Sequence, residues 1–147
     1  MKQILSKEEL GVALAAPQIG ESLRIFVVAG HALAKRKERK EGEKPEPAPD
    51  DIVFINPDIV KISTAKKDKH EGCLSLKGKW GMVPRAEKAT VRAYDEHGKL
   101  FTRGASGFLA HIFQHEMDHL EGVLYTDKAK LIYDDKDAEK ILEETHD

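Results

Sequence analysis

The chain has a single cysteine, Cys73, in 147 residues. That excludes an internal disulfide, fits a reducing compartment and leaves one thiol for other chemistry. An excess of charge of either sign is also lacking: 24 Lys and Arg stand against 26 Asp and Glu, a net charge of -2, so nothing marks a DNA-binding protein. No apolar run reaches membrane-spanning length and no secretory leader is read at the start, so the expectation is a cytoplasmic protein without a membrane partner. No internal repeat is visible. What is there, 40% apolar and 34% charged residues, suits one ordinary catalytic-sized domain over residues 1–147.

The most informative stretch is residues 111–120, which carries H-E-x-x-H as His115, Glu116 and His119. Four residues along a helix advance the chain by roughly 6 Å and a little over one turn. His115 and His119 therefore share a face and can grip one metal ion, with Glu116 offset to reach a water beside it. Phe108, Leu109, Ile112, Phe113, Met117 and Leu120 recur at three- and four-residue steps, as an amphipathic helix requires. Ser106 or Gly107 can start that helix and Gly122 can end it in a left-handed cap.

The bare motif also fits two histidines on a polar helix face, and its usual functional reading is a zinc endopeptidase. A third ligand decides between them. His111 lies on the same stripe but stands two turns, roughly 12 Å, from His119, too far for both rings to reach one ion. The third ligand must come from elsewhere. Cys73 can be a thiolate ligand or an inert buried thiol.

In chain order, residues 1–10 read as a short amphipathic helix stopped by Gly11. The glycine-bounded stretch 11–20 is rich in small residues that let another backbone approach closely, and its Gln18 carries both a donor and an acceptor. Residues 23–29 form a β-branched strand. From 31 to 50 a basic run followed by Pro45, Pro47 and Pro49 reads as a mobile solvated loop, with docking onto an acidic surface as a second reading. Residues 51–56 make a strand closed by Pro57, and 59–63 a further one. Residues 88–94 and 99–103 flank Asp95-Glu96-His97-Gly98 as a hairpin, with His97 exposed in the turn. Residues 137–144 suggest a short acidic C-terminal helix. The whole predicts an α+β fold, mostly antiparallel sheets packed around a central helix that carries H-E-x-x-H.

Three stretches then line up: Gly-Val-Ala-Leu-Ala-Ala-Pro-Gln at 11–18, Glu-Gly-Cys-Leu-Ser at 71–75 and Gln-His-Glu-Met-Asp-His-Leu at 114–120. Together they resemble the peptide deformylase family, whose motifs read G-x-G-x-A-A-x-Q, E-G-C-L-S and Q-H-E-x-D-H-L. The resemblance runs from about residue 10 to about residue 127. It implies hydrolytic removal of the formyl group from the N-terminal formylmethionine of nascent peptides. By position, Cys73, His115 and His119 are the implied ligands of one divalent metal, Fe(II) first, with Zn(II), Ni(II) or Co(II) able to substitute. Glu116 is the implied general base acting on metal-bound water, and Gln18 with the backbone N–H of Leu74 the implied oxyanion donors.

The resemblance further implies an extended peptide lying beside Val12, Ala13 and Gly72, and a methionine pocket near Val12, Phe108, His111 and Ile112. For Phe108 and Ile112, plain core packing stands equally open. Glu71 and Arg85 are the implied structural ion pair, and a transient association with ribosomes is the implied partner interaction.

This chain departs from the pattern in three places. Ala13 stands where the motif has glycine, at a cost of about 1 kcal/mol or more if the site needs a positive φ there. His111 brings a polar ring to a position usually apolar in the family. The N-terminus reads as abbreviated against relatives. Two other readings therefore stay open: a deformylase-like protein that binds metal or peptide with little turnover, and an H-E-x-x-H metallopeptidase.

Overall fold

The structure is a computed structural model and describes residues 1–3, 12–33, 49–71, 79–123 and 131–134, with backbone alone at 79 and 131–134. Of the loop expected at 31–50, residues 31–33 are instead helical, the backbone there closing a helical turn, and 34–48 lie outside the described residues. So do the expected C-terminal helix, the motif residues Gly72, Cys73 and Leu74, and most of the expected N-terminal helix, of which Lys2 and Gln3 are helical.

The described elements run β1 (Ala13–Ala15), a 3-10 turn (Ala16–Ile19), β2 (Ile25–Val28), α1 (Gly30–Leu33), β3 (Ile52–Ile62), β4 (Lys66–Glu71), β5 (Lys79–Ala86), β6 (Lys88–Tyr94), β7 (Leu100–Ser106), α2 (Gly107–Leu120) and β8 (Leu131–Asp134). They form an α+β fold with two antiparallel sheets, one ordered β1-β2-β3-β6-β7 and the other β4-β5-β8. α2 contacts β1, β6 and β7 of the first sheet and β5 of the second.

The expected hairpin is β6–β7. Asp95 accepts hydrogen bonds from the His97 and Lys99 backbone N–H groups at 2.8 and 2.9 Å, closing the turn. The two strands expected at 51–56 and 59–63 are one strand, β3, and Pro57 does not end it. The ladder with β6 shifts register between Ile55 and Asp58, and Asn56 there takes φ 49°. Asn56 N–H donates to Arg24 O at 2.8 Å, and Arg24 Nη2 donates to Pro57 O at 3.1 Å. Proline has no N–H to give a ladder, and a bulge is where none is needed.

β4 and β5 escape the sequence reading. β4 is Lys-Lys-Asp-Lys-His-Glu, exposed over its first half, so it shows no apolar alternation. In β5, Pro84 breaks the usual pattern, but among the described residues β8 pairs as far as Met82, so Pro84 owes that ladder no N–H.

The core that seats α2 is aromatic. Phe26 of β2 stacks on Phe54 of β3 with ring centroids 4.5 Å apart, and Phe113 of α2 meets Phe54 edge-on at 5.2 Å. Ala13 and Ala15 are buried in the same cluster with Ile112, Phe113 and Met117. Their small side chains let the helix close on β1, as the small-residue stretch suggests. Ala13 also escapes the feared strain: among the described residues Asn56 is the one non-glycine residue with positive φ.

Candidate functional site

β7 runs into α2 with no intervening loop. Gly107 makes the corner at φ 58°, a conformation costly for any residue with a Cβ. Ser106 is the N-cap residue, though its side chain makes no capping hydrogen bond. At the other end Gly122 takes φ 74°. Its N–H reaches His119 O at 3.1 Å and Val123 N–H reaches Asp118 O at 2.8 Å, the Schellman arrangement. Both ends of the helix are therefore fixed where the sequence suggested.

Within α2 the His115 and His119 side chains converge. Their Nε2 atoms lie 3.0 Å apart and the rings meet at 80°. The ligand-capable atoms of His115, Glu116 and His119 all fall within 4.8 Å of one another. Glu116 and His119 are buried and His115 is partly so.

Glu71, at the end of β4, meets the His115 ring of this pair and is only 3% exposed. Arg85 of β5 donates to it twice, Nε to Oε2 at 2.5 Å and Nη2 to Oε1 at 2.8 Å, so the expected ion pair is a two-pronged one. His115 Nδ1 lies 2.5 Å from Oε1, and His111 Nε2 lies 2.7 Å from Oε2. Burial alone would raise the Glu71 pKa. The hydrogen bonds from Arg85, His111 and His115 override it and hold the carboxyl well below its usual range. Burial likewise opposes charge on Arg85, and Glu71 and Asp118 together more than compensate, raising its pKa. An ionised carboxylate only accepts, so His115 presents its proton from Nδ1, and the neutral ring then carries its lone pair on Nε2. That is the form in which an imidazole binds a metal, and the donor set fits a divalent cation on this count.

Two residues of the third motif have structural roles that sequence reasoning did not assign. Asp118 Oδ2 takes Arg85 Nη1 at 2.6 Å. Gln114, buried, clamps the end of β5 with both ends of its carboxamide: Oε1 accepts Ala86 N–H at 2.8 Å and Nε2 donates to Ala86 O at 2.8 Å. The available signal for Gln114 was a polar residue at a buried position of the helical stripe.

The remaining candidates lie as follows. Gln18 closes the 3-10 turn, its Oε1 accepting Ala15 N–H at 2.8 Å, which assigns the oxygen to the backbone and the nitrogen to the opposite end of the amide. Val12 is partly buried and Ala13 buried. Ile112 is in the core, whereas Phe108 is 56% exposed and lies edge-on to His111 with centroids 6.1 Å apart. His111, expected beside a methionine pocket, is buried with its Nε2 on Glu71. Among the described residues no helix is long and apolar enough to cross a membrane.

Two imidazoles one helical turn apart with an adjacent carboxylate, on a helix that contacts both antiparallel sheets, suit a metal-dependent hydrolase. The family model for polypeptide deformylase matches residues 1–134. The chain belongs to that family. It is 45% identical to a peptide deformylase of Desulforudis audaxviator over 127 residues, covering 86% of this chain and 72% of that one. It is 48% identical to one of Roseiflexus castenholzii over 122 residues, covering 82% of this chain but 65% of the relative's length. Its fold is similar to the Met-Ala-Ser-bound crystal structure of a class I type b peptide deformylase from Acinetobacter baumannii, with TM-score 0.68, 33% identity and coverage of 86% and 75% of the two chains.

Proposed function

We propose that this chain hydrolyses the formyl amide of N-formylmethionyl peptides, giving formate and a free amino terminus. The observation that carries the reading is the convergence of the His115 and His119 Nε2 atoms to 3.0 Å, with His115 Nδ1 held by Glu71. In this reading Cys73, His115 and His119 hold one divalent cation, Fe(II) in the resting protein, with Zn(II), Ni(II) or Co(II) as substitutes. Such a cation, when bound, polarises the formyl carbonyl and makes water a better nucleophile near neutral pH.

The chain's own groups then move the protons. Glu116 takes a proton from the water that attacks the formyl carbon and passes it to the departing amine nitrogen as the C–N bond breaks. The Gln18 amide N–H and the backbone N–H of Leu74 donate to the oxygen on which negative charge develops, an effect typically worth about 3 kcal/mol per donor. Gln18 suits this because its oxygen is engaged by Ala15, which leaves the nitrogen as the donor end.

Peptide binding follows from the sheet. Among the described strands, β1 ends the five-stranded sheet and pairs with β2. An extended peptide beside Val12, Ala13 and Gly72 adds to that edge by main-chain hydrogen bonds. The methionine side chain sits near Val12, Phe108, His111 and Ile112. The Met-Ala-Ser named in the Acinetobacter baumannii structure is the tripeptide such a reaction would leave. Action on nascent chains places the protein in the cytoplasm, transiently at ribosomes.

The test is to purify the chain anaerobically with Ni(II) or Fe(II) and offer formyl-Met-Ala-Ser. Formate release at catalytic rates is expected. Cleavage between residues would instead support a metallopeptidase, and binding without formate a non-catalytic relative.

A further inference from the structure

We infer that His111 is a positioning residue for the metal site: through Glu71 it fixes the orientation of His115. The inference rests on the metal site proposed above and concerns this chain's own residues.

An ionised carboxylate offers about four acceptor positions. On Glu71, Oε1 serves Arg85 Nη2 and His115 Nδ1, and Oε2 serves Arg85 Nε and His111 Nε2. Every position is used, and the group is buried. His111 and His115 are four residues apart on α2, so their rings lie on one stripe and Glu71 straddles them. The Arg85 fork defines the plane of the carboxylate. The two histidines decide how it sits against the helix, one on each oxygen.

With an apolar residue at 111, Oε2 loses one of its two donors in a site closed to solvent. The carboxylate is then free to pivot about the Arg85 fork, and the bond that holds His115 Nδ1 is no longer fixed in length or direction. Carboxylates that orient a ligating imidazole through its second nitrogen govern metal affinity, and here the orienting carboxylate is itself oriented by His111. The Phe108 ring lies edge-on to that of His111, with centroids 6.1 Å apart.

The test uses the full chain with Co(II) as the probe. His111→Leu keeps bulk and removes the donor, and His111→Gln restores an N–H. Affinity is read by competition with a chelator, and ligand geometry by the visible absorption of bound Co(II). The Leu variant is expected to lose affinity about tenfold or more, in line with other groups that orient metal ligands, with an altered spectrum. The Gln variant is expected to recover both.

An unchanged Leu variant, or a Gln variant as weak as Leu, would overturn the inference while leaving the metal site intact. Failure of the unaltered chain to take up Co(II) would overturn the metal site and the inference with it. Independently of whether the variants fold, long-range proton–nitrogen NMR on the unaltered Zn(II)-loaded chain should find the His111 proton on Nε2. A proton on Nδ1 alone would overturn it.

Discussion

Asp118 Oδ2 lies 2.6 Å from Arg85 Nη1, and through this contact the helix that carries the histidine pair is tied to β5. The same guanidinium holds Glu71 with its other nitrogens, so one cation organises two carboxylates from β4 and α2. Removing it leaves both in place without their partner. Arg85→Met is expected to destabilise the fold by about 3–5 kcal/mol, the usual consequence of breaking a buried ion pair on one side. Denaturant unfolding measures it, and a loss below about 1 kcal/mol would show that the network is not holding the site together.

Acid should weaken the fold through Glu71. Its carboxyl is held below its ordinary 4.5 in the folded chain and returns toward that value on unfolding. The unfolded chain therefore binds the extra proton first. The stabilisation is complete above 4.5 and drains away as pH falls below it toward the depressed folded value. Melting temperature of the metal-free chain should fall between about pH 5 and pH 3. In Glu71→Gln the same interval should be flatter, from a lower starting point at neutral pH. Parallel slopes in the two proteins would contradict this.

Gln114 offers a prediction on packing alone. Its carboxamide satisfies both the N–H and the C=O of Ala86. Gln114→Leu fills the space but strands these buried groups, at about 1–3 kcal/mol for each. Unfolding should show the loss, and the Ala86 amide should exchange with solvent faster than in the unaltered chain.

At the proposed catalytic carboxylate, Glu116→Gln should retain metal and lose roughly 10²–10⁴-fold in turnover, the range for a general acid–base group. Metal analysis beside formate release separates the two effects. A largely active variant would remove Glu116 from the role given to it.

The helix and the hairpin were readable in advance because their signals are local. The steps from Phe108 to Leu120 repeat with the period of a helix, and Asp95-Glu96-His97-Gly98 carries its own turn chemistry. What failed was local signal overridden by tertiary context. Pro57 looks like a strand end until Arg24 is seen to satisfy the backbone around it. β4 is all but devoid of apolar residues, so nothing in it announces a strand.

For the site, spacing placed His115 over His119, and resemblance paired Glu71 with Arg85. Neither supplied the link from His111 to Glu71. The spacing of four between His111 and His115 was a usable hint that one partner could serve both rings, but sequence does not say which residue that stripe faces. Ala13 taught the opposite lesson. A departure from the family pattern looked costly, yet the residue lies in an ordinary strand paired with Val28.

The central claim is that the Cys73 sulfur and the His115 and His119 rings meet at a single cation. X-ray absorption at the zinc edge of the Zn(II)-loaded chain tests it most directly. The expected result is one sulfur at about 2.3 Å and two imidazole nitrogens at about 2.0–2.1 Å, with the sulfur lost in Cys73→Ala. A shell of nitrogen and oxygen alone in the unaltered chain would contradict it.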